Sequence, residues 1–360
     1  MFSKSTLLLL LFCPLLVFAT KGDEEHKLRV TRTFKAGDGS KIFVQNKYGK
    51  IVVNIWDRQE CKADVEIVGF GNNAEQARRM AEMVEIKANE SGNVVKLETV
   101  YNASGTGKWF NFGKKDSRDY VNVNYNLYVP ENIAMLMLEN NFGDVLARKL
   151  PMYSMIKVNY GFIDITEATQ KLQLHINYTD KCRIGAARDM EIHANYSSMR
   201  VGNAGDIELH SNNGSYTFGT VGAMNIHSNY DDFKIQGMKS LDLDANYTDI
   251  RSEKLNGGPV SVKANYGDVA LRNISSEFKT LRFSINYTDV RVGLSSRASF
   301  RLKAVMKNGD LKTGDFDLKN VNQIRNNSNL SFSAITTNGS DASPSIIIDG
   351  RYSDVKLEGE

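Results

Sequence analysis

Cysteine, proline and one-sided charge are all scarce in this chain, and each scarcity removes a class of protein. Three cysteines (Cys13, Cys61 and Cys182) are too few for a disulfide scaffold or a cysteine-rich metal module. Five prolines in 360 residues leave long stretches open to continuous strand pairing, which proline would interrupt. Lys and Arg number 45 against 42 Asp and Glu, without long runs of one sign, so the concentrated basic face of a nucleic-acid binder is missing. Beyond Thr20 no apolar run approaches the roughly 18 residues of a membrane-spanning helix. Nucleophile and phosphate motifs are missing too. No Gly-x-Ser-x-Gly occurs, and Gly105-Thr106-Gly107-Lys108-Trp109 lacks the leading glycine and closing Ser/Thr of a phosphate loop. No catalytic, cofactor-binding or metal-ligating residue is therefore assigned. What is present, 41% hydrophobic and 24% charged residues, is the make-up of a folded chain with a sizeable core.

The N-terminus reads as an address. Lys4 precedes an apolar run from Leu7 to Phe18, and Val17-Phe18-Ala19 supplies a small-residue cleavage pattern before Thr20. Residues 1–19 are thus expected to be a secretory signal peptide. A lipoprotein signal using Cys13 is the rival reading, opposed by bulky Phe12 and by the apolar sequence after Cys13. Cleavage leaves Cys61 and Cys182, whose spacing neither demands nor excludes a disulfide.

A repeat dominates the rest. Asn-Tyr recurs at Asn159, Asn177, Asn195, Asn229, Asn246, Asn265 and Asn286, with degenerate copies at Asn141-Phe142, Asn212-Asn213 and Lys307-Asn308. Ten consecutive copies from Asn141 to Lys307 are spaced by 17 to 21 residues. Lys47-Tyr48 and Arg351-Tyr352 are outlying copies. Apolar residues alternate before each Asn (Leu172/Leu174/Ile176, Leu241/Leu243/Ala245) and again after it (Ile163/Ile165, Val290/Val292), which is the strand period. Each unit is then a strand, a tight corner at Asn-Tyr-[Thr/Gly]-Asp, and a second strand. Such a unit cannot bury its apolar face alone, whereas stacked units can. The expected fold is all-β, a parallel β-solenoid of 17–21-residue coils about 4.8 Å apart, with the repeats over 130–360. Residues 20–129 are expected to form a β-rich N-terminal region holding one helix at about 73–88. Asn73 would cap that helix, and Ala74, Ala77, Met80, Ala81 and Val84 would form its buried stripe. After Asn177 the apolar pair shifts to Cys182 and Ile184, which predicts a local bulge.

Three outward features are candidates for function. The Asp column (Asp144, Asp180, Asp232, Asp249, Asp268, Asp289, Asp310) suits turn chemistry, with calcium binding as the other option. Four of five histidines, His175, His193, His210 and His227, precede the repeat Asn by two and should form an outward row. That row is either a solvated ladder or a site for a transition metal or for pH sensing. The loop 102–119 carries Lys108, Trp109, Phe110, Phe112, Lys114 and Lys115, which either contact a partner or fold back over the open end of the stack.

An exported chain with an early helix, the strand ending Tyr128-Val129-Pro130 and stacked Asn-x-Gly-Asp-Val copies resembles the bacterial "putative adhesin" β-solenoid domain. The head domain of auto-transporter adhesins is similar. The resemblance spans about 40–360 and implies a non-enzymatic envelope or surface protein of a Gram-negative-like bacterium. It would be periplasmic, on the outer-membrane surface or extracellular, with an envelope, glycan or protein ligand. A carbohydrate-active enzyme on a β-helix scaffold is the alternative. Two carboxylates about 5–10 Å apart in an aromatic-walled groove would mark it.

Overall fold

The computed structural model describes residues 24–102 and 120–360. The expected signal peptide lies outside them. Among the described residues the fold is all-β with one helix, and its 27 strands belong to a single, nearly closed sheet.

Two ladders of parallel strands meet at the Asn-Tyr corners. Strands leading into the corners pair in register, so that Asn159 lies opposite Asn177, then Asn195, Asn212, Asn229, Asn246, Asn265 and Asn286. Strands leaving the corners form the second ladder, for example Ile163–Ala168 on Cys182–Ala187 on Ser198–Ala204. Both ladders turn their apolar parity inward. Leu172, Leu174 and Ile176 are fully buried, and so are Ile163 and Ile165 on the facing side. Leu28, Val30 and other N-terminal residues pack onto the same continuous core.

The corner itself is held in an unusual backbone state. Tyr160, Tyr178, Tyr196, Tyr230, Tyr247, Tyr266, Tyr287 and Tyr352 all have φ between 47° and 57°. A bulky residue in this left-handed region costs about 1–2 kcal/mol, so something else must hold it there. Two interactions do. The N–H groups of Tyr160, Tyr178, Tyr196, Tyr230, Tyr247 and Tyr352 donate to the next rung, as Tyr178 does to Asn195 O (3.0 Å), and the Asn amides form a ladder of side-chain bonds such as Asn177 Nδ2 to Asn159 Oδ1 (2.8 Å). Ring stacking supplies the second. The bulge expected after Asn177 sits in the corner. Between Asn177 and Cys182 there is one residue more than between Asn195 and Met199, and Lys181 takes it up at φ 62°. Cys182 and Ile184 thereby return to the interior.

The helix expected at about 73–88 is shorter. It spans Ala74–Glu82, with Asn73 Oδ1 accepting from Gln76 N, and Ala77, Met80 and Ala81 buried. Val84–Ser91 instead pairs antiparallel with Val94–Tyr101 through a turn in which Gly92 has φ 58°. Alternation at Val84/Ile86 and the Gly92-Asn93 turn outweigh helical propensity there. The helix lies on Gly69 and Gly71, where a Cβ would overlap its backbone.

The strands are not all parallel, nor stacked strictly in chain order. Antiparallel pairs lie toward both ends: Glu24–Lys35 on Glu60–Gly71 on Tyr120–Pro130 at one, and Arg301–Lys307 on Asn329–Thr336 on Leu318–Asn326 at the other. Strand Ser345–Arg351 slots between Thr280–Leu294 and Arg301–Lys307, so the copy at Tyr352 precedes the copy at Asn308 in space. Tyr352 stacks on Tyr287 at 4.6 Å, a contact that Asn308 has no ring to make. Lys41–Tyr48 and Ile51–Trp56 also join the two ladders, pairing in parallel with Met135–Phe142 and Val145–Leu150.

One buried group breaks the interior pattern. Where other corners place Thr, Ser or Gly, position 231 is Asp, only 5% exposed. Its carboxylate accepts from Ser211 Oγ (2.5 Å), Ser228 Oγ (2.5 Å) and Gly214 N (2.6 Å). Burial raises its pKa, and these bonds only partly oppose the rise. A raised folded-state pKa gives stability that is complete below the unfolded value of 3.8 and is lost as pH climbs through the folded value. Each unit of displacement is worth about 1.4 kcal/mol. Asp231→Thr, the residue used at position 248, should therefore raise the melting temperature at pH 8. The gain should shrink on acidification toward pH 4. A gain that stays constant with pH would show that ionisation is not involved.

Candidate functional site

The Asn-Tyr corners build an aromatic edge along the molecule. Tyr48, Phe142, Tyr160, Tyr178 and Tyr196 stack face to face with centroids 5.0 to 5.3 Å apart. Asn213 interrupts the column, and Tyr230, Tyr247, Tyr266, Tyr287 and Tyr352 resume it at 4.6 to 5.0 Å. The rings remain about half exposed, yet their faces are occupied by one another. What solvent meets is a row of ring edges and hydroxyls. The edge is thus a stabilising seam first. Removing Tyr247 deletes two stacked contacts, each worth about 0.5–1.5 kcal/mol. Tyr247→Ala should cost about 1–3 kcal/mol, and Tyr247→Gly about 1 kcal/mol less, because glycine removes the left-handed strain. Urea titration of both variants tests this, and equal losses would exclude backbone strain at the corner.

The four histidines form the expected row. His175, His193, His210 and His227 stack at 4.7, 5.1 and 4.9 Å with interplanar angles of 9°, 5° and 14°. His193 Nε2 and His210 Nε2 lie 3.3 Å from Glu191 and Glu208, and His175 Nε2 lies 3.2 Å from Gln173 Nε2. Stacked parallel imidazoles aim their lone pairs side by side, whereas a metal needs them to converge at about 2.0–2.1 Å. Among the described residues no three His, Cys, Asp or Glu side chains converge in that way. His175 is held below the usual imidazole range, first by burial and then by the neighbouring His193 charge.

Of the Asp column, Asp144, Asp249 and Asp289 are engaged in the corners, together with the outlying Asp354. Asp249 Oδ1 accepts from Asp268 N, Asp289 Oδ1 from Asp354 N and Asp354 Oδ1 from Asp310 N, each at 2.9 Å. Each carboxylate therefore clips the backbone of the adjacent rung, which is the turn role. Cys61 and Cys182 are both buried and unpaired. Burial pushes the Cys61 thiol up to about 12 and raises Cys182 as well. The loop residues Lys108, Trp109, Phe110, Phe112, Lys114 and Lys115 lie outside the described residues.

One surface was not singled out in the sequence. Strand Tyr120–Pro130 turns Tyr120, Asn122, Asn124, Asn126 and Tyr128 outward, while Val121, Val123, Tyr125, Leu127 and Val129 fill the core. Beside it lies a groove of about 400 Å³ lined by Arg29, Thr31, Val52, Asp64, Glu66 and the two asparagines Asn124 and Asn126, with Lys50 at its rim. Burial alone would raise Asp64, but hydrogen bonds from Lys62 and Thr31 and the Lys62 charge hold its carboxyl below the usual range. Its signal in the sequence is the string Tyr-x-Asn-x-Asn-x-Asn-x-Tyr, whose polar residues the strand period places on one face.

No helix among the described residues is long and apolar enough to cross a membrane. No family model and no curated protein matches the chain. Solved structures similar to it include a "putative cell adhesion protein" of Clostridium sporogenes (9% identity, 94% of this chain, 100% of that one, TM-score 0.24). A "putative adhesin" of Parabacteroides distasonis is similar at 10% identity over 92% of this chain and 97% of that one, TM-score 0.34. A "Putative lipid binding protein" of the same species is similar at 11% identity over 91% and 96%, TM-score 0.30.

Proposed function

We propose that this chain is a non-enzymatic, exported envelope protein with an adhesin-like binding role, built as a parallel β-solenoid whose repeats fill residues 130–360. The solenoid reading is supported by the unbroken register of the corner asparagines from Asn159 to Asn286. The binding role is supported by the outer surface, which carries a tyrosine edge along most rungs, a histidine row over four of them and aspartate clips at several corners. A surface of that kind displays contacts over a length and concentrates no reaction at a point.

The rival reading, a carbohydrate-active enzyme, would need one protonated and one ionised carboxyl facing a groove. Asp64 and Glu66 line the groove, but Asp64 is held ionised by Lys62, and Glu66 lies 3.4 Å from Arg29. Asp231, whose carboxyl is raised, is sealed inside. Incubating the mature protein with a polysaccharide panel and assaying new reducing ends tests the non-enzymatic reading. Release of reducing ends that Glu66→Gln abolishes would overturn it. Beads coated with the protein should be retained on immobilised envelope fractions, and retention no greater than on uncoated beads would overturn the adhesive role.

A further inference from the structure

We infer that the outward face of Tyr120–Pro130, with its neighbours in Ile51–Trp56 and Glu60–Gly71, is a binding site for an oligosaccharide of low charge density. The inference rests on the binding reading above and names a site and a ligand class for it.

The face has aromatic pairs at both ends and amides between them. Phe70 stacks on Tyr120 at 4.2 Å at one end, and Trp56 leans on Tyr128 at 5.1 Å at the other. The separation of Tyr120 and Tyr128 along the strand is about 27 Å. Between them an amide chain runs across the strands. Asn54 Nδ2 donates to Asn126 Oδ1 (2.7 Å), and Asn126 Nδ2 donates to Tyr128 Oη (2.8 Å). Asn124 Oδ1 accepts from Lys50 N (3.2 Å), leaving its amide N–H groups to face the groove. Thr31 Oγ1 donates to Asp64 Oδ1 (2.8 Å), so the carboxylate is fixed in place beside the amides.

The chemistry selects among occupants. A protein partner needs an apolar interface centre, and Val52 is the groove residue that turns an apolar side chain outward, since half-buried Val30 packs against the core and Val65 and Tyr125 are buried in it. A polyanion needs unpaired cations, but Arg29 faces Glu66 at 3.4 Å and Lys62 faces Asp64 at 2.6 Å, which leaves Lys50. A polyhydroxylated chain fits what remains. Its hydroxyls both donate and accept, matching fixed amides and carboxylates, and its C–H faces cover aromatic rings. Arg58 lies over Trp56 at 5.1 Å and would swing aside as a sugar ring arrives, whereas Lys62, over Tyr128 at 5.5 Å, stays on Asp64.

Calorimetry of the mature protein with cellohexaose, chitohexaose and mannohexaose tests the site, with heparin hexasaccharide as the polyanionic arm. At least one neutral hexasaccharide should bind. The double variant Asn124→Ala/Asn126→Ala should weaken it about tenfold or more through lost hydrogen bonds. Should that variant fold poorly, Asn124→Asp keeps the acceptor for Lys50 N, removes the donors and should weaken binding to a similar degree. Lys303→Ala, at the far end of the molecule, should change nothing. No heat with any neutral probe, unchanged affinity in Asn124→Asp, or heparin binding above all neutral probes would each overturn the proposal. Bead retention on envelope fractions tests the binding role by itself, so retention that persists in Asn124→Asp while no neutral hexasaccharide binds overturns this site and leaves the binding role standing.

Discussion

Leu243→Asp should abolish the cooperative fold. Leu243 is 1% exposed and sits in register between Ile226 and Val262, in the middle of the lead-in ladder. The substitution removes a buried leucine, which costs about 2–5 kcal/mol when truncated. It also puts a carboxylate where no cation or donor replaces water, and an uncompensated buried charge costs about 3–5 kcal/mol more. Together these rival the roughly 5–15 kcal/mol that holds a typical domain. Because each rung contacts its neighbours, the damage would spread to the strands on either side. Far-ultraviolet circular dichroism should show no sigmoidal melt, whereas Leu243→Met, of similar volume, should cost less than about 1.5 kcal/mol. A wild-type melt in Leu243→Asp would mean that the interior is wet.

Gly161→Thr should be strongly destabilising, although the repeat itself places threonine at the equivalent position in three other corners. Thr179, Thr248 and Thr288 are buried there, and their hydroxyls bond locally, as Thr248 Oγ1 does to Asn246 O at 2.9 Å. At the glycine corners the chain lies closer to its neighbour. A Cβ on Gly161 would overlap the carbonyl oxygen of Gly143, and one on Gly143 would overlap that of Gly49. These are backbone atoms held by the ladder, so neither can step aside. The expected loss is about 3 kcal/mol, the upper end for overpacking. Thermal melting of Gly161→Thr beside Thr248→Ser decides the matter. Two small, equal shifts would show that the corners interchange freely.

This contrast marks what was legible in the chain. Inward and outward parity was readable at Leu172/Leu174/Ile176 because burial imposes a period of two on any half-buried strand. The histidine row was readable for the same reason, since four equal positions in a repeat share one column. The helix end was not, because the stripe through Val84 suits a helix turn and a strand equally until the partner Val94–Tyr101 is present. The amide face of Tyr120–Pro130 was hidden because its meaning depends on Trp56 and Asp64, which are distant in sequence.

By itself, the sequence determined the strand alternation, the corner residues and the step of 17 to 21 residues, because these follow from local sterics and from burial repeated in every unit. Only the tertiary structure decided which copies are neighbours. Tyr352 takes the place beside Tyr287 ahead of Asn308 because a ring stacks on a ring, and the intervening segment turns back to close the end. Glycine and threonine corners likewise look interchangeable in one unit, and the closeness of the next carbonyl alone separates them. Local rules fix each rung, whereas contacts between rungs, unreadable within one repeat, fix the order, the end closures and the groove.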